Sequence, residues 1–215
     1  MKILLMDLII SKFGCVHHDV QNRVQSSQIS NPIDNYGRAE MAYELKPNEK
    51  FTPTMVYMSE GMVWGKLLSP QSIRVSTWLK TTIVPTYYSF YDAQVLTFSG
   101  NKPIPYKFSE YHVHLSKVQA LHVLPPEKPE MDYDPNEPNR KMAFAVVTMG
   151  RYWFEGKRRI SALADLAGSI NTGKEVFSPM YEVTVKHPTI PSLKSIQVPY
   201  LLFRREHASY GVIAE

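Results

Sequence analysis

Three histidines, His112, His114 and His122, come closest to a spacing that chemistry could use. Residues two apart in an extended strand project from one face, so His112 and His114 would present their imidazoles together, with His122 on a following strand. Three imidazoles can hold zinc with an open coordination position. Few acids surround them, however, and the later stretch of similar pattern offers only His207. Spacing alone is weak evidence for a metal, so no metal and no cofactor is assigned. Cys15, His17 and His18 form a second cluster, but in a polar stretch that gives a nucleophile no fixed base or oxyanion donor. The chain has no GxSxG, P-loop, HExxH or dinucleotide-binding glycine pattern. The expectation is a protein that is not an enzyme.

Two other constellations suit binding. Lys157-Arg158-Arg159 and Arg204-Arg205, with Tyr152, Trp153 and Phe154 nearby, combine cations and rings in the manner of single-stranded nucleic-acid sites. The competing account is ordinary strand alternation, with aromatics inward and basic groups on the rim. Trp64, Trp78, Tyr87, Tyr88, Phe90 and Tyr91 are too dense for both faces of their strands to serve one small core. One face is therefore expected to pack a partner module or subunit, contacts at which Tyr and Trp are favoured, the alternative being core packing alone in a small barrel rich in aromatics.

The elements that must position these groups follow from composition and pattern. The chain has 215 residues, 44% hydrophobic and 12% aromatic, enough apolar surface for a packed core. Sixteen Pro against ten Gly, with abundant Tyr, Phe, Val, Ile and Thr, indicate short strands separated by rigid corners. A single Cys excludes an intrachain disulfide framework and a thiolate zinc site, which favours a reducing, cytoplasmic setting. Met1–Cys15 has the outline of a short export signal, but Asp7 and Lys12 fall where it should be apolar or small. No stretch has the ~18 apolar residues of a transmembrane helix.

Charge is uneven along the chain. Residues 1–50 are net neutral, 51–124 carry +3, 125–140 carry −3 and 141–215 carry +4. Such modest surpluses permit nucleic-acid binding without requiring it. Residues 1–53 read as a polar N-terminal arm, and 126–140, rich in Pro and acids, as a semi-rigid linker. Between and after them, 54–125 and 141–215 carry the same marks in the same order. Gly65-Lys66 is echoed by Gly156-Lys157, Arg74-Val75-Ser76 by Arg159-Ile160-Ser161, and Tyr91-Asp92-Ala93-Gln94-Val95 by Tyr181-Glu182-Val183-Thr184-Val185. Such recurrence is the signature of a duplicated unit.

These strands, with the Gly turn, the acidic strand and a short closing strand, resemble the Sm-like small β-barrels. Arg74-Val75-Ser76-Thr77-Trp78-Leu79 followed by Phe90-Tyr91-Asp92-Ala93 also resembles an uncharacterised family of bacterial domains. The resemblance implies an all-β fold of two tandem Sm-like or SH3-like small barrels. The RNA pocket of Sm proteins does not carry over, since its places here read Thr86-Tyr87-Tyr88 and Ser116-Lys117 or Arg204-Arg205-Glu206. The expected function is interaction with a protein partner or with itself, with Trp64, Trp78, Tyr87, Tyr88, Tyr91, Lys157, Arg158, Arg159, Arg204 and Arg205 as candidate contacts. The alternative is nucleic-acid binding by the basic rim of the second unit.

Overall fold

Among the described residues ten strands alternate with short connections in two successive runs of five. The first run is β1 (Glu49–Met58), β2 (Gly61–Pro70), β3 (Tyr87–Ser99), β4 (Lys102–His114) and β5 (Ala120–Val123). The second is β6 (Arg140–Met149), β7 (Tyr152–Ser161), β8 (Phe177–Lys186), β9 (Ile196–Arg204) and β10 (Ser209–Gly211). A short helix separates the second and third strands of each run, α1 (Val75–Trp78) and α2 (Leu166–Thr172). A 3-10 turn precedes each fifth strand, at Leu115–Lys117 and Arg205–His207. This computed structural model describes residues 43–81, 84–127, 133–190 and 192–213. Expectations placed on residues 1–42, Cys15, His17 and His18 among them, lie outside the described residues.

The all-β expectation is met, but the sheet does not close into two separate barrels. Among the described residues all ten strands form one antiparallel sheet in the order β10-β6-β7-β8-β9-β5-β1-β2-β3-β4, with β10 and β4 at its ends. Each run has the same internal order, its fifth strand beside its first. The two runs meet where β5 pairs β1 on one side and β9 on the other, with Ala120 opposite Phe203 and Leu121 opposite Leu202. Arg204 N–H donates to the Gln119 carbonyl at 2.7 Å and extends that ladder. Both runs belong to one compact unit. Glu49–Pro53, read with the arm from sequence, form the first half of β1.

The recurring Gly-Lys and Tyr-acid marks have a physical basis. The β2–β3 register shifts between Trp64 and Lys66, and the β7–β8 register shifts between Glu155 and Lys157. At each bulge the partner backbone comes very close: a Cβ on Gly65 would lie 2.9 Å from the Tyr91 carbonyl oxygen, and one on Gly156 2.8 Å from that of Tyr181. Only glycine tolerates this approach. Opposite, Asp92 and Glu182 take φ of 50° and 51°, and each carboxylate accepts from the neighbouring lysine, Lys66 and Lys157, at 2.6 Å. The bulge bends the strand and raises its twist, curling each run.

Curling creates two cores. One holds Val56, Val63, Leu67, Phe90 and Val113 under α1, whose Val75 and Trp78 are buried there. The other holds Val147, Phe154, Met180, Val183 and Phe203. The runs share these cores: Tyr181, Tyr200 and Leu202 reach into the first, while Met55, Tyr57, Met62 and Trp64 cap the second. β1 is therefore buried on both faces, which explains the unbroken apolar run Met55-Val56-Tyr57-Met58.

The proline-rich acidic stretch is not a free spacer over its described part. Tyr133 packs edge-on against Tyr181 at 4.9 Å, and Arg159 lies 4.6 Å over the Tyr133 ring. Arg159 also donates to the Asp134 carbonyl at 3.1 Å and pairs with Glu137. Residues 133–137 are thus fastened to β7 and β8.

Gly65→Ala and Gly156→Ala are each expected to lower stability by about 1–3 kcal/mol, because the added methyl must displace backbone. Urea unfolding of the two variants checks this, and wild-type stability in both would sink the close-approach argument.

Candidate functional site

Period-two alternation decides which candidates reach solvent. On β7 the even positions Tyr152, Phe154, Gly156, Arg158 and Ile160 face inward, and Trp153, Lys157 and Arg159 face outward or part-way out. Arg158, expected on a basic rim, is therefore 6% exposed. Its guanidinium donates to the Ser178 hydroxyl at 3.2 Å and stacks near Tyr210 and Phe203, 5.2 and 5.8 Å from the ring centres. Burial lowers its pKa.

The other basic candidates are engaged within the fold. Lys157 holds Glu182, and Arg159 holds Glu137, Asp134 and Tyr133. Arg204 donates to the Leu115 carbonyl at 2.8 Å, across the junction of the two runs, and pairs with Glu206 at 2.5 Å. Arg205 donates to the Ile170 carbonyl of α2.

Most of the aromatic candidates are also interior. Trp64, Trp78, Tyr88 and Tyr91 are buried, and only Tyr87 is on the surface, at 53% exposure. Trp64 does pack another part of the protein, the second five-strand run. Trp78 and Tyr88 pack the first core, their rings 5.7 Å apart.

The histidines diverge. His112 and His114 lie on exposed β4, where His112 faces Glu110 at 3.3 Å and Ser89 at 3.1 Å, and His114 bonds Ser116 at 2.6 Å. His122 lies on β5, separated from β4 in the sheet by β1, β2 and β3. Among the described residues no cluster of three potential ligands could hold a metal. A cavity of about 210 Å³ sits near the junction of β1, β5 and β9. Its lining mixes Lys50 and Arg74 with Glu127, so it presents no single charge to a ligand.

The surface that stands out is the outer edge of β4. Its even positions Ile104, Tyr106 and Phe108 share one face and are 37%, 46% and 39% exposed. The Tyr106 and Phe108 rings lie 6.3 Å apart, and Phe108 reaches Tyr111 at 5.0 Å. β3 pairs one side of β4 along nearly its whole length, and no strand among the described residues pairs the other. This face was legible in Lys102-Pro-Ile-Pro-Tyr-Lys-Phe108: apolar residues alternate, and Pro103 and Pro105 fit only an edge strand. The opposite end of the sheet also exposes apolar groups, Met142, Phe144, Trp153, Val212 and Ile213, around β10.

Comparison with protein-family models, with curated proteins and with solved structures yields no match. Among the described residues no helix is long and apolar enough to cross a membrane.

Two buried histidines set an acid limit on this arrangement. His122 stacks on Tyr57 and shares a 3.3 Å hydrogen bond with its hydroxyl, and His187 packs edge-on against Tyr152 at 4.8 Å. Burial pushes both down to about 4. The unfolded chain takes up these protons near pH 6.5 and the folded chain refuses them until about pH 4, so stability is full above that window and falls through it. Denaturation midpoints should be level above neutrality and decline between pH 6.5 and 4, each histidine accounting for up to roughly 3 kcal/mol. His187→Leu should flatten the decline, and an unchanged pH profile in that variant would show that His187 is not the group responsible.

Proposed function

We propose that this protein is a non-enzymatic interaction module whose contact is the aromatic outer edge of β4. In this reading each five-strand run is a copy of one small, incompletely closed barrel unit related to the Sm-like type. The tandem works in a reducing, cytoplasmic setting. The observation that carries the proposal is the row Ile104, Tyr106 and Phe108, exposed on a strand whose outer side no strand among the described residues pairs. Lys102, Pro103, Pro105 and Lys107 blunt the first half of that edge, and the stretch from Phe108 to His114 keeps its backbone groups for another strand. Tyr87, 53% exposed at the start of β3, lies against His114 at the other end of β4 and is not part of this row.

Charge supports protein over nucleic acid as the partner. The cations of the second run that would have formed a phosphate-binding rim are paired with Glu182, Glu137 and Glu206, bonded to backbone, or buried. Recruiting them to phosphates would cost those internal contacts. Binding through an apolar edge resists salt, whereas phosphate contacts weaken steeply as salt rises.

The test is capture of partners on the immobilised full chain at low and high salt, with protein and nucleic-acid readouts, for wild type and Tyr106→Ser/Phe108→Ser. Expected is protein retained at high salt by wild type and reduced at least tenfold by the double variant. Nucleic acid as the main captured species, released by salt and unaffected by the β4 changes, would overturn the reading.

A further inference from the structure

The chain contains one completed version of a contact that its two sheet ends leave open. Inside the protein, the fifth strand of the first run, β5, pairs the fourth strand of the second, β9. The strands left at the ends are the fifth of the second run, β10, and the fourth of the first, β4. We propose that copies of this chain join head to tail, β10 of one pairing with β4 of the next as β5 pairs with β9. This rests on the edge-binding reading above and names the partner as a second copy.

Register makes the proposal specific. Thr54 faces Gly65 as Ala145 faces Gly156, which aligns β1 with β6, and β5 and β10 then align through their pairing with those strands. Ser209 thereby takes the place of Ala120, and Tyr210 that of Leu121. Tyr91 faces Glu110 as Tyr181 faces Tyr200, so Val113 takes the place of Phe203 and His112 that of Leu202. The pairs Ala120 with Phe203 and Leu121 with Leu202 predict Ser209 with Val113 and Tyr210 with His112 between copies. His114 N–H would donate to the Ala208 carbonyl, as Arg204 N–H does to Gln119. Pro103 and Pro105 lie at the far end of β4 and leave this segment free to pair.

Burial gives an independent argument. Ile196 and Val198, on the β9 face at the internal junction, are 7% and 5% exposed. The residues at the same places on β4 are Tyr106 and Phe108, which stay apolar although they are 46% and 39% exposed. In the first run, Met62, Trp64 and Leu96 receive the second run. Their places in the second run hold Trp153, 43% exposed, and the ion pair of Glu155 with Lys186 at 2.6 Å. The contact between copies is therefore less apolar than the one within the chain, and the association is reversible. Because the two surfaces differ, the contact is heterologous and builds a ring or a filament rather than a two-fold dimer.

Light scattering of the full chain should show mass rising above the 24.7 kDa of one copy as concentration increases, and Tyr106→Ser/Phe108→Ser should return it to that value. In a Cys15→Ser background, oxidation of His112→Cys/Tyr210→Cys should give a ladder of covalent multimers on a non-reducing gel. Lys107→Cys/Tyr210→Cys, out of register, should give at least fivefold less. A single-copy mass up to about 100 µM, well beyond a micromolar dissociation constant, overturns the inference. An equal ladder from the Lys107 variant overturns it too. A monomer that still captures another protein through β4 in a salt-resistant way overturns self-assembly alone and leaves the interaction reading standing. Loss of both measurements overturns both.

Discussion

The packing of Met55, Tyr57, Met62 and Trp64 from the first five strands against Tyr152, Phe154, Leu201 and Phe203 from the last five is the contact on which this structure depends. Without it β1 and β2 would show water a row of large apolar side chains, and the second core would lose its cap. The Tyr152 hydroxyl donates to the Gly61 carbonyl, so even the polar tip of this fully buried ring is anchored across the junction. A buried Tyr hydroxyl needs such a partner. β5, only four residues long, supplies ladder bonds to both β1 and β9 and turns two curled runs into one sheet.

That junction consumes much of what the sequence offers for binding. Trp64 is spent capping the second core, and Tyr88 and Trp78 fill the first. Arg204 spans the junction to Leu115, and Arg159 fastens the acidic segment through Tyr133, Asp134 and Glu137. Cations that look available in one dimension act as internal clasps in three. What remains is a pair of unlike ends: a long aromatic edge at β4, and a three-residue strand at β10 flanked by exposed Val212 and Ile213. Sheets usually protect such edges, and Lys102, Pro103, Pro105 and Lys107 do so over the first half of β4.

Several features were legible in the residues. Gly65-Lys66 with Asp92, and Gly156-Lys157 with Glu182, mark bulges where backbone approach excludes a Cβ and a left-handed residue sits opposite. These are local constraints, and local constraints leave a trace in residue type. Strand alternation likewise gave the order of elements, and on β7 it already placed Arg158 on the same face as Tyr152 and Phe154. Reading Lys157-Arg158-Arg159 as one patch overlooked that adjacent strand residues point to opposite faces.

The sequence by itself determined the all-β class, the hairpins, the bulges and the recurrence of element order, because each follows from residue types within a few positions of one another. Only the tertiary structure decided that β5 pairs β9 and that the ten strands share one open sheet. Backbone ladder bonds are nearly blind to side-chain identity, so pairing between strands some 80 residues apart leaves no local signature. The same long-range choice settled which aromatics are interior and which edge stays open. Burial belongs to the assembled sheet, not to any stretch of chain.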